Sequence, residues 1–367
     1  MGLNLRPLFA SLPPLLGDVR ADLGLSAAAA GLLTTGPVLC LGALAPLGPR
    51  LVRRMPVERL LVACGLLTAA GLALRGAGGT APLFAGTLAA GAAVACAQVV
   101  LPALARARHP ERAGMLTGLV SASITLGAAA AAFAAVPLER ALGSWEASLA
   151  VWAIPALAAA VAWMPPAVRA RGIVRAREGH PLWRTPLAWS VALFFGVQSL
   201  GFYATLAWVP SILEASGVAK GRAGALLGVS TLIQFAPAFA VPAVAARSRG
   251  QMGWLVVTVV LTLAGVVGLL AAPGAALLWM VVLGLGQGAA LGLGLVLPVL
   301  RGRSAEAVAS LTAMAMGLGY LVAAAGPWLL GAVRDASGGW TAPLVVLAVL
   351  TALELPVGAL AVRDRTI

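Results

Sequence analysis

PPAVRARGIVRAREGHPLWRTP, residues 165–186, holds Arg169, Arg171, Arg175, Arg177 and Arg184 in a chain of which only 10% of residues are charged. Prolines close it at both ends. On either side run long blocks of Ala, Leu, Val and Gly, cut by short charged loops. A basic, proline-bounded stretch between two oily halves reads as a solvated connector, not as core. Residues 167–185 therefore join two domains, 1–166 and 186–367, and the fold follows from what those halves are.

Hydrophobic residues make up 61% of the chain, and the mean hydropathy is +0.98. Charged residues alone are about a quarter of an ordinary soluble domain. A soluble fold cannot hide this much apolar surface, whereas a lipid bilayer is the matching solvent. Gly250 to Leu300 is a run of 51 residues without Asp, Glu, Lys or Arg, enough for two crossings at about 20 residues each. The reading is an all-α membrane protein whose constant neighbour is the lipid bilayer.

The formal charge of +13 invites a nucleic-acid partner, because basic surfaces neutralise phosphates. The charges, however, sit in short loops between apolar spans, so no nucleic acid is expected. Twelve spans are predicted, at about 1–17, 27–49, 58–76, 80–104, 113–137, 144–166, 186–210, 221–245, 252–272, 274–300, 306–331 and 340–362. With the first loop outside, 18 arginines fall on the connector side and six basic residues, Arg75 and Arg334 among them, on the other. That bias places both termini in the cytoplasm of a bacterial plasma (inner) membrane. Trp145, Trp163, Trp189, Trp208, Trp254 and Trp340 fall near predicted interfaces, where amphipathic rings anchor.

The halves repeat. VLPAL at 100–104 returns as VLPVL at 296–300, and AGMLT at 113–117 as ASLT at 309–312. PLGPRLVRR at 46–54 aligns with PAVAARSRG at 242–250, and Pro13 with Pro210, all at offsets of 195–197. Six spans per unit is an even number, so both units enter from one side: two parallel six-helix repeats about an axis along the membrane normal. By the same offset, the first dozen residues of the seventh span have no counterpart after Met1. The first helix is accordingly expected to be truncated.

Parallel six-plus-six spans with a basic loop Gly48-Pro49-Arg50-Leu51-Val52-Arg53-Arg54 resemble the major facilitator superfamily, although the Asp of its loop signature is missing. LNLRP (3–7), FFGVQSLGFYATLAWVPSIL (194–213), GLGQG (284–288) and GYLVAAAGPWLLGAVRDASGGWTAPL (319–344) are similar to its cyanate and 2-nitroimidazole transporter family. The resemblance spans essentially the whole chain and implies a small-molecule transporter with a peripheral twelfth helix. Gln98 stands where that family usually has Asn, Val120 where an aromatic is common, and Met316 where Gln is expected.

Arg6 is the sharpest site candidate. A charge near mid-bilayer costs about 2.5–3.5 kcal/mol on insertion scales, so it faces a cavity or a partner, and its fork suits carboxylate, cyanate-like or nitro oxygens. The repeat places Tyr203 as its counterpart. Gln198 and Tyr203 lie five residues apart, about 140° round a helix, so the two point differently. The other substrate-binding candidates are Gln98, Gln234, Gln287 and Tyr320, isolated polar groups in apolar spans, with Thr117 and Ser121 from the stripe Thr117, Ser121, Thr125. Polar side chains in spans also glue helices together, and the reading of the residues leaves both roles open. Glu354 is read as the carboxylate inside a span, paired with a neighbouring helix, and proton coupling stays open.

The function expected is secondary active or facilitative transport of a small anionic or polar organic solute by alternating access. Multidrug or metabolite efflux is the alternative. A membrane-embedded enzyme or a receptor is disfavoured: His109 and His180 lie in loops, no GxxxxGK[ST] phosphate loop occurs, and no signalling domain follows the last span. Cys40, Cys64 and Cys96 lack metal or redox spacing and read as packing residues. No cofactor or metal is called for, and the protein is expected to be a monomer.

Overall fold

The computed structural model describes residues 1–45, 47–52, 54–108, 110–170, 182–248 and 250–367, without the side chains of 48, 49, 52, 102, 103, 105–108, 110, 113, 114, 117 and 305. Most of the basic connector, with Arg171, Arg175, Arg177 and His180, lies outside the described residues, as do Arg53, His109 and Arg249. Every regular element described is helical. Hydrocarbon offers the backbone no hydrogen-bond partner, so each apolar segment must satisfy its own N–H and C=O groups.

The helices in order are α1 (Pro7–Ala10), α2 (Leu16–Leu23), α3 (Ala27–Ala43), α4 (Leu47–Val52), α5 (Val57–Leu74), α6 (Thr80–Arg108), α7 (Ala113–Leu142), α8 (Trp145–Ala150), α9 (Ala153–Arg169), α10 (Pro186–Ala215), α11 (Lys220–Ala245), α12 (Met252–Ala271), α13 (Ala276–Arg301), α14 (Ala305–Ala323), α15 (Ala325–Ser337) and α16 (Thr341–Ala361). Among the described residues ten stretches are long and apolar enough to cross a membrane, and α3 is a shorter apolar helix. They follow the expected spans from the second to the twelfth. Two of those spans are each built from two pieces, α8 with α9 and α14 with α15.

The first expected span needs correction. Residues 2–23 form no single helix but a 3-10 turn (Gly2–Leu5), α1, a second 3-10 turn (Pro13–Leu15) and α2. The cause is local: Pro13 and Pro14 have no N–H, so the carbonyls of Phe9 and Ala10 lose their helical donors. Trp208 is the second correction. Instead of anchoring an interface it is fully buried, donating Nε1–H to the Pro327 carbonyl at 2.7 Å and packing on Trp340. A buried indole needs such an acceptor.

Contacts divide the chain into two units, Met1–Leu25 with Gly36–Ala176, and Ser26–Thr35 with Arg177–Ile367. In the first unit α5 packs on α6 and α9, and the Gly2–Leu5 turn packs on α7. The α5–α6 seam is backbone against backbone: a Cβ on Gly71 would lie 2.6 Å from the Gly86 carbonyl oxygen and 2.7 Å from the Ala90 nitrogen. Small residues allow this approach, which replaces the missing hydrophobic drive between helices in lipid.

In the second unit α10 and α13 are the inner helices, 78% and 72% buried over their apolar stretches, against 33% for α16. Outward faces stay apolar: Val256, Val257, Val260 and Val267 of α12, and Val345, Val349, Leu353 and Leu360 of α16, are exposed. A stripe of this kind would be a sticky patch in water and is the expected surface toward acyl chains. Within this unit the Asp335 carboxylate accepts from Ala27 N at 2.8 Å and Ala28 N at 2.7 Å, while Ser26 Oγ accepts from Ala29 N. The otherwise orphaned donors of the α3 N-terminus are thereby met.

Candidate functional site

The second unit gathers four of its five sequence candidates into two groups. Tyr203 on α10 and Tyr320 on α14 are 1% and 7% exposed, their ring centroids 6.3 Å apart at 67°. Phe195 meets Tyr320 edge-on at 5.6 Å, and Phe202 meets Tyr203 at 5.0 Å. Edge-to-face contacts fix ring orientation as well as burying area. The result is a wall of four aromatic rings with two phenol groups in it.

The other group is a hydrogen-bonded relay through three helices. Gln234 of α11 donates its Nε2–H to Gln287 Oε1 on α13 at 3.4 Å, and Gln287 donates to Thr205 Oγ1 on α10 at 3.1 Å. Thr205 in turn donates to the Gly201 carbonyl at 2.7 Å. Gly288 makes the approach possible, because a Cβ there would meet the Gln234 Cα at 2.7 Å. In a double-mutant cycle of Gln287→Leu and Thr205→Val, unfolding should show a coupling of about 1 kcal/mol, inside the range for interhelical hydrogen bonds. Independent effects would show that the relay binds nothing together.

Gln198 belongs to neither group. It bonds the Phe195 carbonyl at 3.2 Å and Ser199 Oγ at 2.6 Å, beside Gly294 of α13. Tyr203 points to α14 instead, as five residues of helix require.

In the first unit, Arg6 is half-buried at the junction between the Gly2–Leu5 turn and α1, with its guanidinium carbon 5.5 Å from the centre of the Phe9 ring. Asn4 holds this segment to α9 through the Pro155 carbonyl at 3.1 Å. Gln98 on α6 and Ser121 on α7 are half-buried. The Ser121 carbonyl accepts from Thr125 Oγ1 and Leu119's from Ser123 Oγ, so these hydroxyls are occupied by their own helix. The Thr117 side chain lies outside the description.

The pattern of the Major Facilitator Superfamily matches residues 7–327. The 2-nitroimidazole transporter of Escherichia coli is 37% identical over 370 residues, covering 99% of this chain and 94% of that one. The chain belongs to the major facilitator superfamily. The cyanate transport protein CynX of Escherichia coli is 32% identical over 344 residues, covering 93% and 89%. Within the superfamily this chain is thus a cyanate and 2-nitroimidazole transporter relative. The fold agrees: a bacterial homologue of the human lysosomal transporter Spinster superposes with a TM-score of 0.81 at 15% identity over 99% of this chain and 95% of its own.

Membership makes the protein a multi-pass membrane transporter rather than an enzyme, and puts weight on its buried charges. Three were misplaced or incompletely read. Arg75 and Arg301 count as loop residues by hydropathy, yet they are 0% and 3% exposed. Glu354 was expected to pair with a neighbouring helix. It is buried against Gly201 of α10, and its Oε2 has no hydrogen-bond partner. Charge counting treats a residue one step past an apolar run as solvated, and no sequence signal corrects that.

Proposed function

We propose that this transporter moves a small anionic or polar organic solute across a bacterial plasma membrane by alternating access, as a monomer with both termini in the cytoplasm. Its two six-helix repeats, 1–166 and 186–367, are taken to be joined by the connector 167–185. The substrates named for the relatives, 2-nitroimidazole and cyanate, are both small and electron-rich. The observation that carries the reading is Arg6: a guanidinium set where two helical pieces meet, within an otherwise apolar segment, and able to pair with two oxygens at once. In the other unit the buried aromatic cluster of Tyr203, Tyr320 and Phe195 is assigned to stand beside the solute's path. Gln98, Thr117, Ser121, Gln198, Gln234 and Gln287 are assigned to the lining of the pathway.

A coupled proton belongs to the same proposal, with Glu354 as its carrier. The elements packed on α16 are α10, α12 and α15, whose charged residues are Glu214, Arg334 and Asp335, all near helix ends. Buried carboxylates in transporters mark proton relays. The test is uptake by proteoliposomes over a panel of nitroimidazoles, cyanate and hydroxybenzoates, with and without an imposed pH gradient. Saturable uptake of one class, accelerated by the gradient in wild type and indifferent to it in Glu354→Gln, is expected. No uptake across the panel rejects the solute class, and gradient-independent wild-type uptake removes the proton.

A further inference from the structure

Spacing in the sequence makes Cys40, Cys64 and Cys96 look unrelated, yet the fold pairs two of them. Cys64 lies on α5 and Cys96 on α6, and their thiols hydrogen-bond to each other across the seam between these helices. The antiparallel register accounts for the meeting. Gly71 of α5 faces Ala90 of α6, and Arg75, the residue after α5, faces Gly86. About two turns from Gly71 and Ala90, back along α5 and onward along α6, the same register sets Cys64 opposite Cys96. At Gly71 an added Cβ would lie 3.0 Å from that of Ala90, closer than the roughly 3.8 Å between the β-carbons of a disulfide. The thiol contact shows that the helices are still near enough at Cys64 for side chains to touch.

The two sulfurs differ in access. Cys64 is buried, whereas Cys96 is only half-buried. Cys64 also borders, with Gly65, Thr68 and Ala97, a cavity of about 10 Å³, room for about one water. The rotation that a disulfide dihedral demands therefore meets free volume instead of solid packing on that side. Cys40 is placed differently. Its Sγ approaches the Leu88 carbonyl at 4.0 Å, and Leu88 lies about 12 Å along α6 from Cys96.

We propose that Cys64 and Cys96 are a redox-active dithiol, which a small neutral organic disulfide oxidises to an internal disulfide joining α5 to α6. The Cys96 thiolate, the more accessible, attacks one sulfur of the reagent; the reagent's S–S bond breaks and its other half leaves as a thiolate. The Cys64 thiolate then attacks the Cys96 sulfur of this mixed disulfide, the Cys64–Cys96 bond forms, and the second half leaves. The two leaving thiolates take up the two protons the cysteines lost, so the reagent becomes two thiols and the protein loses two hydrogens. With its partner already in contact, the second step is intramolecular and outpaces attack by further reagent. Nothing in either step involves the transported solute.

The reagent is 2-hydroxyethyl disulfide, added to purified, fully reduced full-length protein in detergent. Remaining thiols are then alkylated in denaturant and the chain is cut with trypsin, for which Arg75 offers a site between the two cysteines. The expected product links the Cys64 and Cys96 peptides within one chain, is reversed by dithiothreitol, and forms equally in Cys40→Ser. In Cys64→Ser the reaction should stop at a mixed disulfide on Cys96, and in Cys96→Ser the thiol of Cys64 should react roughly ten-fold more slowly than Cys96 does. Cys64 and Cys96 both alkylated after exhaustive treatment, separate mixed disulfides at both, or links to Cys40 or between chains overturn the dithiol. Should a serine variant fail to fold, the peptide map of wild type decides alone. Neither readout involves transport, so the dithiol and the transport reading fail separately.

Discussion

Arg6→Ala protein, reconstituted at wild-type density, will take up its solute ten- to a hundred-fold more slowly than wild type while unfolding at nearly the same temperature. Hydrogen bonds to charged groups contribute about 1.5–3 kcal/mol net, and 1.4 kcal/mol is a factor of ten in an equilibrium constant. The side chain is half-buried and lies by the Phe9 ring, not in a packed core, so its truncation opens little cavity. The segment itself is held by other means, the Asn4 bond to Pro155 and the packing of the Gly2–Leu5 turn on α7. Arg6→Lys keeps the charge but not the fork and should fall between the two rates. Normal uptake by Arg6→Ala removes this residue from the solute's path.

The other large effect is on folding. Gly86→Val will lower stability by about 3 kcal/mol or more, the upper end for overpacking. A Cβ at residue 86 would overlap the Gly71 carbonyl oxygen and lie 3.0 Å from the Arg75 backbone nitrogen. Both are backbone atoms, so no rotamer change relieves the clash and α5 must move off α6. Gly253→Ala on α12, where nothing lies within 4 Å of the new methyl, is the matched control and should unfold close to wild type. Thermal melts of the three proteins in one detergent make the comparison. Equal melting of Gly86→Val and wild type would mean that the α5–α6 seam is looser than its geometry.

The chain itself made the class legible. Eleven of the expected spans reappear as helices, two of them in pieces, because hydropathy sums residue by residue and needs no knowledge of neighbours. The first span failed where local chemistry outweighed hydropathy: Pro13 and Pro14 break a segment apolar enough to read as one helix.

Partnerships were another matter. Gln234, Gln287 and Tyr320 were visible only as isolated polar residues, and nothing in their spacing said that Gln287 would bridge to Thr205 or that Tyr320 would meet Tyr203. In a water-soluble helix the polar face reports which side is inside. Here lipid and protein interior are both apolar, so a helix built of Ala, Leu and Gly carries little record of its rotation. Charges at helix ends suffered the same loss. Arg75, Arg301 and Arg334 look alike as basic residues beside apolar runs, yet Arg75 is buried with one side-chain bond, Arg301 is buried with three, and Arg334 rests over Trp340. What the sequence determined alone was that this is a bundle of apolar membrane helices of the transporter type. Which polar groups meet, and which buried cation is left with a single side-chain bond, was decided by helix rotation and depth, which only three-dimensional packing sets.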